Sequence, residues 1–233
     1  MSDKAAHLDR LLQSIETASS LRANARGDEG LFARRRLLRA WQSRRLQHTH
    51  ADLLADKRFG AAARFFVTDL YSDEDAGARD AEVAKVVPNL GKMLPPSGVE
   101  TVADAIELDA LSESLDADMV AALGAGVANL DARTYADAYR KTGRGDDRER
   151  QIALIEDLGQ SLDSLTHLPL IGMTLKMMRR PAQLIGMGEL QSFLERGYSA
   201  FRAMGNADEF VSIVTTRERT LMRAWFAGES PEA

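Results

Sequence analysis

The stretch QHTHAD at 47–52 holds the most suggestive chemistry in the chain. His48 and Asp52 stand four apart, so on a helix they share a face; a neutral imidazole with a carboxylate is half a donor set for zinc or non-haem iron. His50 would point elsewhere. A metal site needs three or four ligands, and no HExxH or ExxH pattern supplies the rest. His167 is the other candidate. It precedes the apolar LPLIGM, a setting in which an imidazole could bind haem iron within an all-helical chain. The plain alternatives are a solvated His48–Asp52 pair and a capping His167.

A methionine-rich segment, LPLIGMTLKMMRRPAQLIGMG, raises a different possibility. Met173 and Met177 are adaptable apolar groups of the kind that line irregular cavities, and Phe193 and Phe201 downstream could close the same space around a small apolar ligand. Core filling is the simpler role for methionines at helical spacing. Leu170, Ile171, Met177 and Met178 could instead form an apolar face beside Lys176, Arg179 and Arg180, the pattern of a helix on a membrane surface, which the glycines and prolines of the segment oppose.

Acids are numerous but form no defined pair of opposed environments, so no catalytic residue is assigned. Asp69, between Phe66 and Leu70, would need a partner if buried; Arg64, five residues away, is poorly placed on the same helix, so the arginine-rich run from Arg34 to Arg45 is the simplest source. That run is the strongest local charge feature. It could dock on nucleic acid, acidic protein or anionic lipid, but a solvated face paired with the many acids is preferred. The chain has no cysteine, which excludes a thiol nucleophile, a thiolate metal site and a disulfide frame. GAGVANL at 124–130 lacks a preceding strand, no GxxxxGK[ST] occurs, and no specific motif indicates a cofactor.

The elements that must carry these residues are helices. With 45% hydrophobic and 28% charged residues among 233, a sizeable core is possible. A formal net charge of −5 argues against nucleic acid, which needs a basic field. The charged start MSDKAAHLDR and the lack of any long apolar run lead to the expectation of a cytoplasmic chain without a transmembrane segment. Apolar residues recur at steps of three and four throughout: Leu8 to Leu21, Leu31 to Trp41 and on to Asp56, Phe59 to Leu70, Val83 to Leu94, Val99 to Met119, Leu130 to Tyr139, Ile152 to Leu165, Leu190 to Met204 and Phe210 to Trp225. Near Leu108 the apolar face drifts or the helix bends. GRGDDRER at 143–150 is expected as a solvated loop, and Asn206 with Glu209 as a capping box. These elements predict an all-α, single-domain bundle of about eight helices over 1–228, with a frayed tail at 229–233.

The block FFVTDLY at 65–71, followed by LSESLD at 111–116, QIALIEDLGQSLDSL at 151–165 and FLERGYSAFRAMGNADEF, resembles a family of uncharacterised bacterial, largely proteobacterial, proteins. The resemblance spans nearly the whole chain. It implies an all-helical fold and transfers no catalytic residue. The expected role is therefore non-enzymatic binding, to a protein partner, a second copy or a small apolar ligand between helices. A helical metal- or haem-dependent sensor or oxidase is the alternative.

Overall fold

The structure, a computed structural model, describes residues 2–70, 96–168 and 170–231. Within them ten α-helices follow one another with no strand. They are α1 (Ser2–Arg26), α2 (Glu29–Thr49), α3 (Ala51–Ala55), α4 (Gly60–Phe65), α5 (Pro96–Leu123), α6 (Ala132–Thr142), α7 (Gly145–Thr166), α8 (Ile171–Leu184), α9 (Gly188–Met204) and α10 (Asp208–Ala227). A π-helical turn, Phe66–Leu70, extends α4, and a 3₁₀ helix, Gly124–Asn129, follows α5. No helix among the described residues is long and apolar enough to cross a membrane. The side chains of Asp69 and Leu70, Tyr71, the expected helix from Val83 to Leu94, Pro169 and the last two residues of the tail lie outside what is described.

The count exceeds eight because one expected helix is parted in two and the methionine-rich segment forms a helix of its own, α8. The helix expected from Leu31 to Asp56 turns at His50, whose φ of −113° and ψ of 25° part α2 from α3. The helix from Phe59 keeps α-geometry only to Phe65 before the π turn. By contrast α5 runs unbroken for 28 residues. Its drifting apolar face has a physical reason: Ala103 packs against Leu11 of α1, whereas Met119 and Leu123 join Leu38 of α2 and Tyr135 of α6. The stretch 143–150 is not a loop. Gly143, at φ 67°, ends α6 in the left-handed conformation that glycine adopts without strain, and α7 has begun by Gly145.

Two larger apolar cores result. One gathers Phe59, Phe65, Phe66, Phe201 and Phe210 from α4, the π turn, α9, α10 and their flanks. The other gathers aromatic rings: Trp41 stacks on Tyr135 at 4.2 Å, and Tyr139 meets Trp225 at 4.8 Å with the rings tilted by 58°. Close approach depends on missing side chains. A Cβ on Gly197 would lie 2.9 Å from Phe65 Cζ, and one on Gly159 only 2.4 Å from Val211 Cγ2, so α9 and α7 meet their neighbours where only hydrogen fits. Asn206 does not form the expected box: its Oδ1 accepts from the Asp208 N–H at 3.0 Å, while Glu209 turns to Arg58 at 2.7 Å.

Candidate functional site

Arg35, Arg39, Gln42 and Arg45 fall at steps of four, three and three, so they line the side of α2 that also carries Leu38 and Leu46. Packing this side inward buries guanidinium groups, and each needs an acid. Glu113 of α5, 1% exposed, accepts from Arg22 Nε at 3.0 Å, from Arg39 Nη2 at 2.5 Å and from Arg35. Asp116, one turn on, accepts from Arg39 Nε at 3.1 Å and Gln42 Nε2 at 3.0 Å. Further along, Arg45 Nη1 donates to both oxygens of Glu218 on α10, at 2.6 and 2.7 Å. Of the expected solvated face only Arg36 and Arg44 are exposed, Arg34 and Arg39 being half-buried and Arg35 and Arg45 buried.

His50 completes this spine. Its Nε2 is 3.1 Å from Glu218 Oε1, and its Nδ1 has no partner among the described residues. Burial raises the Glu218 pKa, but the Arg45 charge and the His50 and Arg45 hydrogen bonds outweigh it and hold the carboxyl down at about 2. Burial pushes the Tyr139 phenol well above its ordinary value. An imidazole against a carboxylate is the geometry of a general base. Here the ring is 1% exposed and the carboxylate is already paired with a guanidinium, so the arrangement ties the end of α2 to α10.

The expected site residues are dispersed. His48 is exposed on α2, while Asp52 on α3 is bonded through both oxygens to Arg217 at 2.7 Å. That hydrogen bonding brings the Asp52 pKa down to about 2. His167, at the end of α7, is exposed and rests its Nδ1 2.7 Å from the Asp163 carbonyl. No group of three or more His, Asp or Glu side chains among the described residues is placed to hold a metal ion. Phe201 is buried and Phe193 half-buried in the first core, 5.2 Å from the Phe65 ring. Met173 and Met177 instead face outward, 59% and 71% exposed, so the four do not surround one space.

That outward face is the second feature. Of ten large apolar side chains exposed among the described residues, eight fall between 168 and 194. Leu170, Met173, Met177 and Leu184 step by three, four and seven along the outer side of α8, and Leu184 is 88% exposed. Only Ala182 of α8 is buried. The helix is held from below by polar and close contacts. Gln191 Nε2 of α9 donates to the Leu175 carbonyl at 2.6 Å and to Glu195 at 2.9 Å. Glu195 in turn takes two hydrogen bonds from Arg179, at 3.0 and 2.5 Å. A Cβ on Gly172 would lie 2.6 Å from Tyr198 Oη. Beside this clasp an open depression of about 560 Å³ is lined by Arg64, Phe65, Thr68, Glu195 and Arg196.

The sequence singled out Met173 and Met177 as cavity-lining groups, whereas they stand exposed, and assigned no role to Glu113, Glu218 or His50. The usable signal was the arginines sharing one stripe with Leu38 and Leu46, which places charge on a face that must be buried. A family model described as Domain of unknown function (DUF8198) matches residues 21–232. No curated protein and no solved structure matches.

Proposed function

We propose, for a chain that belongs to the DUF8198 family, that its role is non-enzymatic binding and that α8 is the surface on which a protein partner docks. The observation that carries this is the outer side of α8, where Leu170, Met173, Met177 and Leu184 form one exposed stripe. Concentrating large apolar groups in one place costs hydration free energy, about 25 cal/mol for each Å² left in water, and a partner recovers it. Methionine suits such a face because its unbranched chain adapts to the surface it meets. The buried acids and imidazole favour binding over catalysis, since the network engages them in ion pairs.

The test is site-specific photo-crosslinking in the native cell, with the photoreactive residue placed at Met177 or, as control, at exposed Arg44 on α2. A discrete adduct with another polypeptide from position 177 alone is expected. Equal labelling from both positions, or crosslinks from 177 confined to residues 71–95 of the same chain, would remove the basis for the reading.

A further inference from the structure

Resting on the reading that α8 docks a protein, we infer that the occupant is an amphipathic helix with acidic flanks. Positions 170, 173, 177 and 184 follow the spacing at which one helix presents a narrow seam to another, with knobs entering holes. Arg180 interrupts the seam at the position between Met177 and Leu184, and Lys176 borders it. Neither takes part in an ion pair among the described residues, although the Lys176 charge helps lower the Glu195 pKa, whereas their neighbour Arg179 is bonded to Glu195 directly. From 168 to 196 the chain carries four basic and two acidic side chains, although its formal net charge is −5. The apolar stripe is thus set in a local basic field within an acidic protein.

This charge pattern selects among occupants. A second copy would bring Lys176 and Arg180 of both protomers within a Debye length, about 8–10 Å in ordinary salt, with no acid on the seam to offset them. An anionic membrane would meet the negative field of the whole molecule, and the segment 168–185 has none of the aromatic residues that anchor interfacial helices. A helix with glutamates flanking a leucine seam is narrow enough to lie along α8 alone, where screening leaves Lys176 and Arg180 as the nearest charges. Its apolar side covers Met173 and Met177, and its acids reach Lys176 and Arg180.

The experiment uses the full chain and two synthetic helices with the same leucine seam, one flanked by glutamate and one by lysine, followed by fluorescence anisotropy. The glutamate helix is expected to bind about tenfold tighter at low salt, with the preference collapsing near 0.5 M salt. K176E/R180E is expected to reverse the preference, and Met177→Asp to weaken both helices. Equal binding of the two, abolished by Met177→Asp, overturns the acidic partner and leaves the docking surface standing. No binding of either helix, or binding indifferent to Met177→Asp, overturns both. Tighter binding to vesicles of anionic lipid than to the glutamate helix, or a dimer in sedimentation that Met177→Asp dissolves, overturns the inferred partner in favour of a membrane or a second copy. Circular dichroism on each variant separates these outcomes from loss of fold.

Discussion

His50 and Glu218, 168 positions apart in the chain, meet at 3.1 Å, and the same carboxylate is gripped by Arg45. Two helices that share little sequence logic are thereby fixed in register. A buried ion pair need not add net stability over an apolar pair, but removing one partner strands the other in a medium of low polarity. Glu218→Ala is therefore expected to cost about 3–5 kcal/mol in urea unfolding. Glu218→Gln, which keeps an acceptor for Arg45, is expected to cost less. A loss under about 1 kcal/mol for the alanine variant would mean that Arg45 finds another acceptor or water.

The same carboxylate sets an acid limit. Its pKa is lowered from an ordinary 4.5 to about 2 in the folded state, so folding favours the ionised form. Its contribution is present above the unfolded value and is lost as pH falls from about 4.5 through about 2. Asp52, also lowered to about 2, acts in the same window but is largely exposed and screened. The unfolding free energy, followed from pH 6 down to pH 2, is expected to fall more steeply in the wild type than in Glu218→Gln. Parallel curves would assign the acid sensitivity to other carboxylates.

Arg148 offers the opposite case. It is 5% exposed, stacks 4.3 Å over the Tyr139 ring, and has Nε and Nη2 without partners among the described residues. A buried charge so poorly matched contributes little, because stacking offsets only part of its desolvation. Arg148→Met, keeping the length of the side chain, is expected to stay within about 1 kcal/mol of wild type in thermal or urea unfolding. A loss of about 3 kcal/mol or more would reveal an acceptor at those nitrogens.

The helices were legible because an amphipathic chain must repeat its apolar residues near every 3.6 positions, whatever it packs against. The break at His50 was not legible, since no glycine or proline marks it and the buried ring is held by a residue on α10. The ionic spine was hidden for the same reason: Arg35 meets an acid 78 positions away and Arg45 one 173 positions away. Periodicity showed that α8 carries an apolar stripe. It could not say which side neighbours would cover, and the structure leaves Met173 and Met177 outside while Ala182 packs inside. The capping box expected at Asn206 does not form, because α10 starts one residue later, after Ala207, and Glu209 is drawn to Arg58.

Packing at Gly159 can be tested by filling it. A Cβ there would stand 2.4 Å from Val211 Cγ2, and Val211 is itself buried on α10. Gly159→Ala gains helix propensity but overpacks, for an expected net loss of about 1–2 kcal/mol. Val211→Ala opens the space the new methyl needs. The double variant is expected to be more stable than the sum of the two losses predicts, by about 1 kcal/mol or more. Strict additivity would show that the helices move apart rather than clash.

The last prediction concerns what holds α8 in place, since a docking face must be positioned without being buried. Its inner side offers the core little beyond Ala182, so hydrophobic burial cannot be the main tether. Gln191 is better placed: it is 7% exposed, donates to the Leu175 carbonyl at 2.6 Å, and steadies Glu195, which grips Arg179. Gln191→Leu preserves bulk while removing both donated bonds, leaving a carbonyl in the middle of α8 without its inter-helix donor. Such a loss acts on the local opening of one helix rather than on global unfolding. Amide exchange in 171–184 is expected to quicken about tenfold, while amides of α10 keep their wild-type protection. Faster exchange in both segments would mean that α8 opens only with the whole fold; unchanged exchange in both would mean that the Arg179–Glu195 pair and the Gly172–Tyr198 contact suffice to hold it.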